Sequence, residues 1–409
     1  MSTIILGAGP IGIATAYEFA KRGEQVCVIS KRKNVGEAGH VNAGWVVPIM
    51  SAPVPAPGAL KKSIRWLLDS QSPLKITAEL NWEHIAFMVE MLRYSTQKNF
   101  LHGLHSLSEF GRGTLAAFDE YALNGVKFEL HRTGVLMAFT SQAELDSHAI
   151  EYEGVEKYGL APVKVLSGKQ MREREPMLTD LVTQGIDCSD QYFVDPTTFI
   201  NGLRSKAQEL GVKFIESDSE VRLTSSGGEI AIEISTEKHK ARNVVIAAGV
   251  ESRNLLEGIG VRIPLRFGKG YSFDFQEESR IRNSLYLSGT KIAVTPNEKF
   301  LRFAGTMEFG GDGMKINHKR ALGILANSAK YFSFQLPQSV APRVGLRPMT
   351  PDGLPVIGKI DGVSNLYIAS GHAMQGVTLA PNTAKATADL VLHKESKIDI
   401  SAFSPMRFR

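Results

Sequence analysis

The chain has 409 residues, 43% hydrophobic and 22% charged, the proportions of a globular protein, which exclude the compositional class of disordered chains. Lysine and arginine (47) nearly balance aspartate and glutamate (42), for a net charge of +5, and both signs are interleaved along most of the sequence, which argues against a dedicated nucleic-acid face. Two cysteines cannot make a disulfide framework or a four-thiolate zinc site, so the chain reads as intracellular and without structural metal.

The N-terminus carries the strongest signal. Thr3 to Leu6 is a short apolar strand, GAGPIG follows, and apolar residues recur at helical spacing from Ile11 to Arg22 before Gly23. No basic region precedes an apolar run here, so the segment reads as strand, turn and helix and not as a signal peptide. Gly7, Gly9 and Gly12 form a GxGxxG pattern in the context expected of a dinucleotide site. Gly7 permits the turn, Gly9 lets a diphosphate touch backbone, Gly12 lets helix and strand pack closely, and the helix N-terminus offers unpaired N–H groups. The second strand, Val26 to Ile29, ends without the usual ribose-binding acid. Ser30 stands there, followed by Lys31, Arg32 and Lys33. This leaves two readings: a basic cluster for the 2′-phosphate of NADPH, or a weaker ribose contact by Ser30 with solvated lysines.

Further along come VNAG (Val41 to Gly44) and an insert holding all three tryptophans, Trp45, Trp66 and Trp82, beside a proline-rich run and KKSIRWLL near Lys61. The insert reads as a lid over the site or as a peripheral contact with the inner face of the cell membrane. Asp195-Pro196 starts a helix that Gly211 stops. Arg242 to Gly249, RNVVIAAG, is an apolar strand ending in small residues. GLRPMTPDGLPVIG (Gly345 to Gly358), NLYIASGH (Asn365 to His372) and MQGVTLAPNTAKATADLV complete the chain. Several strands ending in glycine, at Gly249 and Gly371 among others, can converge on one long cofactor at the carboxyl edge of a sheet.

Taken together, GAGPIG, VNAG, AAG, GLRPMTPDGLPVIG and GHAMQGVTLAP resemble the FAD-dependent amine oxidoreductases of the D-amino-acid oxidase, glycine oxidase and sarcosine oxidase group, in order and over nearly the whole chain. HVNAGWVVPIMSAPVPAPGALKKSIRWLLDSQSPLKI and FGKGYSFDF resemble the bacterial D-amino-acid dehydrogenases in particular, including those acting on D-proline or hydroxy-D-proline. The resemblance implies an α/β fold: a Rossmann-like FAD domain on a parallel sheet (1–124, 187–262 and 343–409), interleaved with an α+β substrate domain (125–186 and 263–342) on a mixed sheet.

The resemblance implies a noncovalent FAD, because no cysteine matches the sarcosine-oxidase attachment site. Gly7, Gly9, Gly12, Ser30, Lys31, Asn42, Ala43, Gly44, Val221, Ala248, Gly249, Gly345 and Gly371 are expected along the cofactor. Gln375, Gly376, Val377 and Thr378 are expected beneath its ring, with the last three opening the final helix. Arg347 of the GLRP motif is implied to bind the substrate carboxylate, a role that suits a planar, permanently charged guanidinium; the competing reading pairs it with Asp352. His372 is open between a catalytic and a structural role. The tyrosine that related oxidases use to orient the carboxylate is missing, with Ile292 near its place, so Tyr271 is the substitute candidate, against a reading in which its ring is only a wall. Met307 falls at an apolar pocket position. The implied reaction passes the α-hydrogen of a D-amino acid such as D-alanine or D-proline as hydride to flavin N5, and the imine hydrolyses to a 2-oxo acid. The electrons go on to a quinone or similar acceptor, alone or within a larger complex. The alternatives are an oxygen-using oxidase that forms hydrogen peroxide and a non-catalytic flavin-binding subunit.

Overall fold

The computed structural model describes residues 3–32, 38–58, 74–76, 81–226, 229–276, 280–336 and 340–408. Lys33, Lys61, Trp66 and most of the insert around them lie outside the described residues.

A six-stranded sheet carries the N-terminal motif. Its strands run in the order Lys213–Ser217, Val26–Lys31, Thr3–Leu6, Asn243–Ile246, Leu366–Ser370 and Val356–Lys359. The first five are parallel and the last is an antiparallel edge. The central strands are buried on both faces, which is why they read as continuous apolar runs. On one face, helix Pro10–Lys21 packs between helices Ala380–Val391 and Pro196–Glu209. On the other, the three-stranded antiparallel sheet Val221–Ser226, Glu229–Ile234 and Glu237–Lys240 covers Ile4, Leu6, Cys27 and Ile29. The helix at Pro196 begins as its sequence requires: Asp195 accepts from the Thr197 N–H at 3.0 Å, Pro196 occupies the first turn, and Gly211 at φ +91° follows the last turn.

A nine-stranded mixed sheet forms the second layer. Its main path is Arg343–Met349, Arg266–Phe275, Leu301–Phe309, Ile292–Pro296, Ser284–Leu287, Val135–Phe139, Gln184–Cys188 and Lys164–Ser167, with Leu74–Ile76 added beside Leu301–Phe309. Helix His318–Ala329 closes one face through Ala321, Ile324 and Leu325. The sheets depart from the expected division at two places. Arg343–Met349 hydrogen-bonds to Arg266–Phe275 and belongs to this larger sheet, not to the cofactor sheet, and Gln184–Cys188 crosses the expected break at 186/187. The GLRP segment thereby enters the site from the substrate side.

Trp45 lies inside the fold, its Nε1 donating to Thr295 Oγ1 at 2.9 Å and its ring edge-on to Tyr286. Trp82, by contrast, is 77% exposed at the start of helix Trp82–Tyr94. Among the described residues no helix is long and apolar enough to cross a membrane.

Candidate active site

A cavity of about 550 Å³ runs along the carboxyl edge of the six-stranded sheet and ends against the nine-stranded one. Its middle is the GAGPIG turn. Gly7 sits at φ +114°, and a Cβ there would collide with the Ala247 carbonyl; a Cβ on Gly12 would collide with the Gly7 carbonyl. Gly9 is the opposite case, because a Cβ there would meet nothing within 4 Å. The helix it caps has no side-chain cap, and the amides of Gly9, Ile11 and Gly12 have no acceptor among the described residues. An open cradle of unpaired N–H groups at the positive end of a helix dipole fits a diphosphate.

One arm of the cavity passes Ser30, Lys31, Val221, Ala248 and Gly249. Ser30 and Lys31 continue the second strand in register with Glu216 and Ser217. The Lys31 ammonium lies 3.4 Å from Glu251, and Arg32 pairs with Asp218 at 3.6 Å. Two of the cations expected for a 2′-phosphate, Lys31 and Arg32, thus face carboxylates. Gly249, at φ +56°, has open space where a Cβ would stand.

The other arm reaches His372, Gly376 and Val377. The final helix begins at Ala380 and not at Gly376, with Pro381 in its first turn; Gly376, Val377 and Thr378 form the turn before it. Their amides still donate to no group among the described residues, so this turn offers N–H groups without being a helix end. The Thr378 hydroxyl donates to the Trp45 carbonyl at 3.0 Å and accepts from the Val47 N–H at 3.2 Å. Gln375 donates to the Met50 carbonyl at 2.8 Å. His372 is buried, with Nε2 2.9 Å from Thr383 Oγ1, and burial holds its pKa down to about 3. A ring held neutral by burial and bonded to Thr383 favours the structural reading of His372.

Arg347 stands where this arm meets the nine-stranded sheet. Its Nη1 donates to the Thr306 carbonyl at 2.9 Å and lies 3.7 Å from Met307 Sδ. No carboxylate pairs with it among the described residues. Asp352 is engaged elsewhere, accepting from Arg407 at 2.7 and 3.2 Å. Burial without a counter-charge pulls the guanidinium down to about 10, still protonated at neutral pH. A desolvated cation on a cavity wall, with no anion of its own, is a strong site for an incoming carboxylate. Gly270 makes room for it, since a Cβ there would collide with the guanidinium.

Several expected residues lie behind the cavity wall. Gly44 (φ +75°) packs against the Val194 carbonyl and donates to Asn42 Oδ1 at 2.7 Å, while the Ala43 carbonyl accepts from Thr295 Oγ1 at 2.8 Å. Asn42 lines the cavity, and its amide nitrogen is spent on the carbonyls of Ala38 and Gly39. Gly345 also lines it and admits Val41, whereas Gly371 packs on Thr350 and Leu265. Met307 belongs to an apolar cluster with Phe87, Met91, Phe309 and Met349. Tyr271 lines the cavity. Its ring is buried in the core of the large sheet, and its hydroxyl donates to Glu308 at 3.0 Å and accepts from the Asn317 N–H at 3.1 Å. A hydroxyl so committed favours the reading of Tyr271 as part of the wall.

The structure adds a link absent from the motif reading. Arg302 is 1% exposed; it bonds Asp274 at 2.6 and 2.7 Å and the carbonyls of His40 and Asn42 at 3.2 and 2.7 Å. Burial pushes the Asp274 carboxyl up, but Arg302 and Arg343 outweigh it and hold the pKa below its ordinary value. The substrate sheet is thereby tied to the loop that borders the cofactor cavity.

These features define a dinucleotide-binding protein with a guanidinium on the wall of its cavity. Residues 2–390 match the model of the DAO family of FAD-dependent oxidoreductases, and the chain belongs to that family. Over 422 aligned positions, 100% of this chain and 98% of its relative, it is 30% identical to a D-amino acid dehydrogenase of Rhodopseudomonas palustris. Among solved structures it is similar to glycine oxidase from Geobacillus kaustophilus (TM-score 0.75, 21% identity, 99% and 98% of the two chains). It is also similar to iminodiacetate oxidase from Chelativorans sp. BNC1 (TM-score 0.75, 19% identity, 98% of both). The open Gly9 cradle and the unpaired amides at Gly376 to Thr378 fit the FAD that the family requires.

Proposed function

We propose that the chain oxidises D-amino acids with a small, uncharged side chain, of the D-alanine or D-proline type, and passes the electrons to a quinone or similar acceptor rather than to oxygen. The observation that carries this reading is Arg347, a half-buried cation on the cavity wall with no carboxylate partner among the described residues. The naming of its 30% identical relative as a D-amino acid dehydrogenase supports the choice of substrate and of dehydrogenase chemistry.

FAD, held by the amides around Gly9 and Gly376 to Thr378, would supply the hydride acceptor for the substrate α-hydrogen. The chain's own groups orient and select. Arg347 holds the carboxylate. Beside it, Met307 Sδ lies 3.7 Å away in an apolar cluster with Phe309 and Met349, which brings no opposing charge to the clamp. No protein base is assigned: His372 is neutral and fixed by Thr383, and the neutral substrate amine itself stabilises the cation that forms as the α-hydrogen leaves. Replacing Arg347 with Leu should raise the KM for D-proline at least a hundredfold while FAD stays bound, since a charged bidentate contact is lost. An unchanged KM would remove the assignment.

A further inference from the structure

The strand Leu301–Phe309 does not run evenly along its partner. Gly305 faces Tyr271 and Glu308 faces Lys269, so Thr306 and Met307 together face the single residue Gly270. One extra residue on one strand is a β-bulge, which bends that strand and re-aims what it carries. Thr306 absorbs the bend at φ +65°, in the left-handed region that a β-branched residue enters only at a steric cost. Its side chain recovers nothing, because Oγ1 is buried without a hydrogen-bond partner. The return lies in the backbone: the Thr306 carbonyl accepts from Arg347 Nη1 at 2.9 Å, and the guanidinium makes no hydrogen bond through Nε or Nη2 among the described residues.

We propose that Thr306 is a positioning residue for substrate binding: its left-handed bulge holds one nitrogen of Arg347 through the backbone, so that the remaining edge of the guanidinium is presented to the substrate carboxylate. The inference rests on the reading of Arg347 as the carboxylate clamp. Two parallel N–H···O bonds to a carboxylate require the plane of the guanidinium to be fixed. A carbonyl fixes it without cancelling its charge, which an aspartate or glutamate in the same place would do. Gly270 completes the seat, since any side chain there would push the guanidinium off the carbonyl.

The test uses FAD-loaded protein carrying Thr306→Gly, Thr306→Val or Thr306→Pro, with benzoate as an amine-free carboxylate probe read by the flavin absorbance, and D-proline turnover alongside. Glycine keeps the carbonyl and relieves the strain, and valine replaces an unbonded hydroxyl with a methyl group, so both should raise the benzoate Kd clearly less than proline does. Proline fixes φ near −65° and cannot form the bulge; it should raise the benzoate Kd and the D-proline KM at least tenfold, with kcat within about threefold. A proline variant that binds benzoate as tightly as the parent overturns the proposal, as does a glycine variant that loses as much as proline. Should the proline variant fail to hold FAD, Gly270→Ala carries the same expectation, and an unchanged Kd there is equally contradictory. Arg347→Leu, run in parallel, separates the two ideas. An unchanged KM in it sinks the clamp itself, whereas a large rise there with normal binding in the proline and alanine variants sinks only the bulge.

Discussion

Replacing Arg302 with Met removes the bond between the two halves of the site while keeping a side chain of similar length. Four hydrogen bonds are lost, two to Asp274 and one each to the carbonyls of His40 and Asn42. Asp274 keeps Arg343 at 2.6 Å, but that partner is 37% exposed and weaker for it. Breaking a buried ion pair by deleting one member costs about 3–5 kcal/mol. With an unfolding entropy of about 2.1 cal/mol/K per residue, a chain of 409 residues should lose about 3–6 °C in Tm. Thermal unfolding followed by circular dichroism, with and without FAD, measures it. The FAD-loaded protein should lose more than the apoprotein, because the loop around Asn42 borders the cofactor cavity. Asp274→Asn combined with Arg302→Met should cost clearly less than the sum of the two single changes. A shift below 1 °C, or strict additivity of the pair, would refute the bridging role.

Three other outcomes follow from the site. Gly9→Ala should leave the apoprotein Tm within about 1 °C, since a Cβ there meets nothing, yet weaken FAD at least tenfold by filling the cradle; Gly12→Ala should lower both, because its Cβ strikes the Gly7 carbonyl. Apoprotein Tm and FAD fluorescence quenching distinguish the two patterns. His372, held near a pKa of about 3 when folded, takes up a proton on unfolding below its ordinary value of about 6.5, so acidification favours the unfolded chain. Between pH 7 and pH 5 this should remove about 2 kcal/mol of stability, and urea titrations of His372→Asn should lack that loss; an identical pH dependence in both proteins would contradict it. Finally, Lys31→Ala should not create or abolish any response to NADPH, because Lys31 already faces Glu251; NADPH-dependent bleaching of the flavin in the parent protein would revive the basic-cluster reading.

The parts legible in the sequence are those set by local backbone geometry. Gly7, Gly9 and Gly12 report a strand-turn-helix at fixed spacing, and the GLRP segment marks Arg347 through a resemblance. What was not legible depends on partners distant in the chain. Glu251 answers Lys31 across 220 positions, and Arg302 reaches the carbonyl of Asn42 across 260. The two readings of Tyr271 could not be separated in the sequence because the register shifts between Lys269 and Tyr271, so simple alternation along the strand does not give the face its ring takes. The start of the final helix had a local signal that outranked the motif: Pro381 suits a first turn, which places the helix at Ala380 and leaves Gly376 to Thr378 in the turn before it. The bulge at Thr306 has no sequence signature, because threonine is an ordinary strand residue and glycine would be the expected choice at positive φ.

The central claim, a flavin site that takes D-amino acids by their carboxylate, is tested most directly by anaerobic titration of the purified FAD-loaded protein. D-proline or D-alanine should bleach the flavin absorbance, the L-enantiomers should not, and Arg347→Leu should respond only at far higher concentrations. A protein that binds no FAD, or a bound flavin that no D-amino acid reduces, would contradict the account.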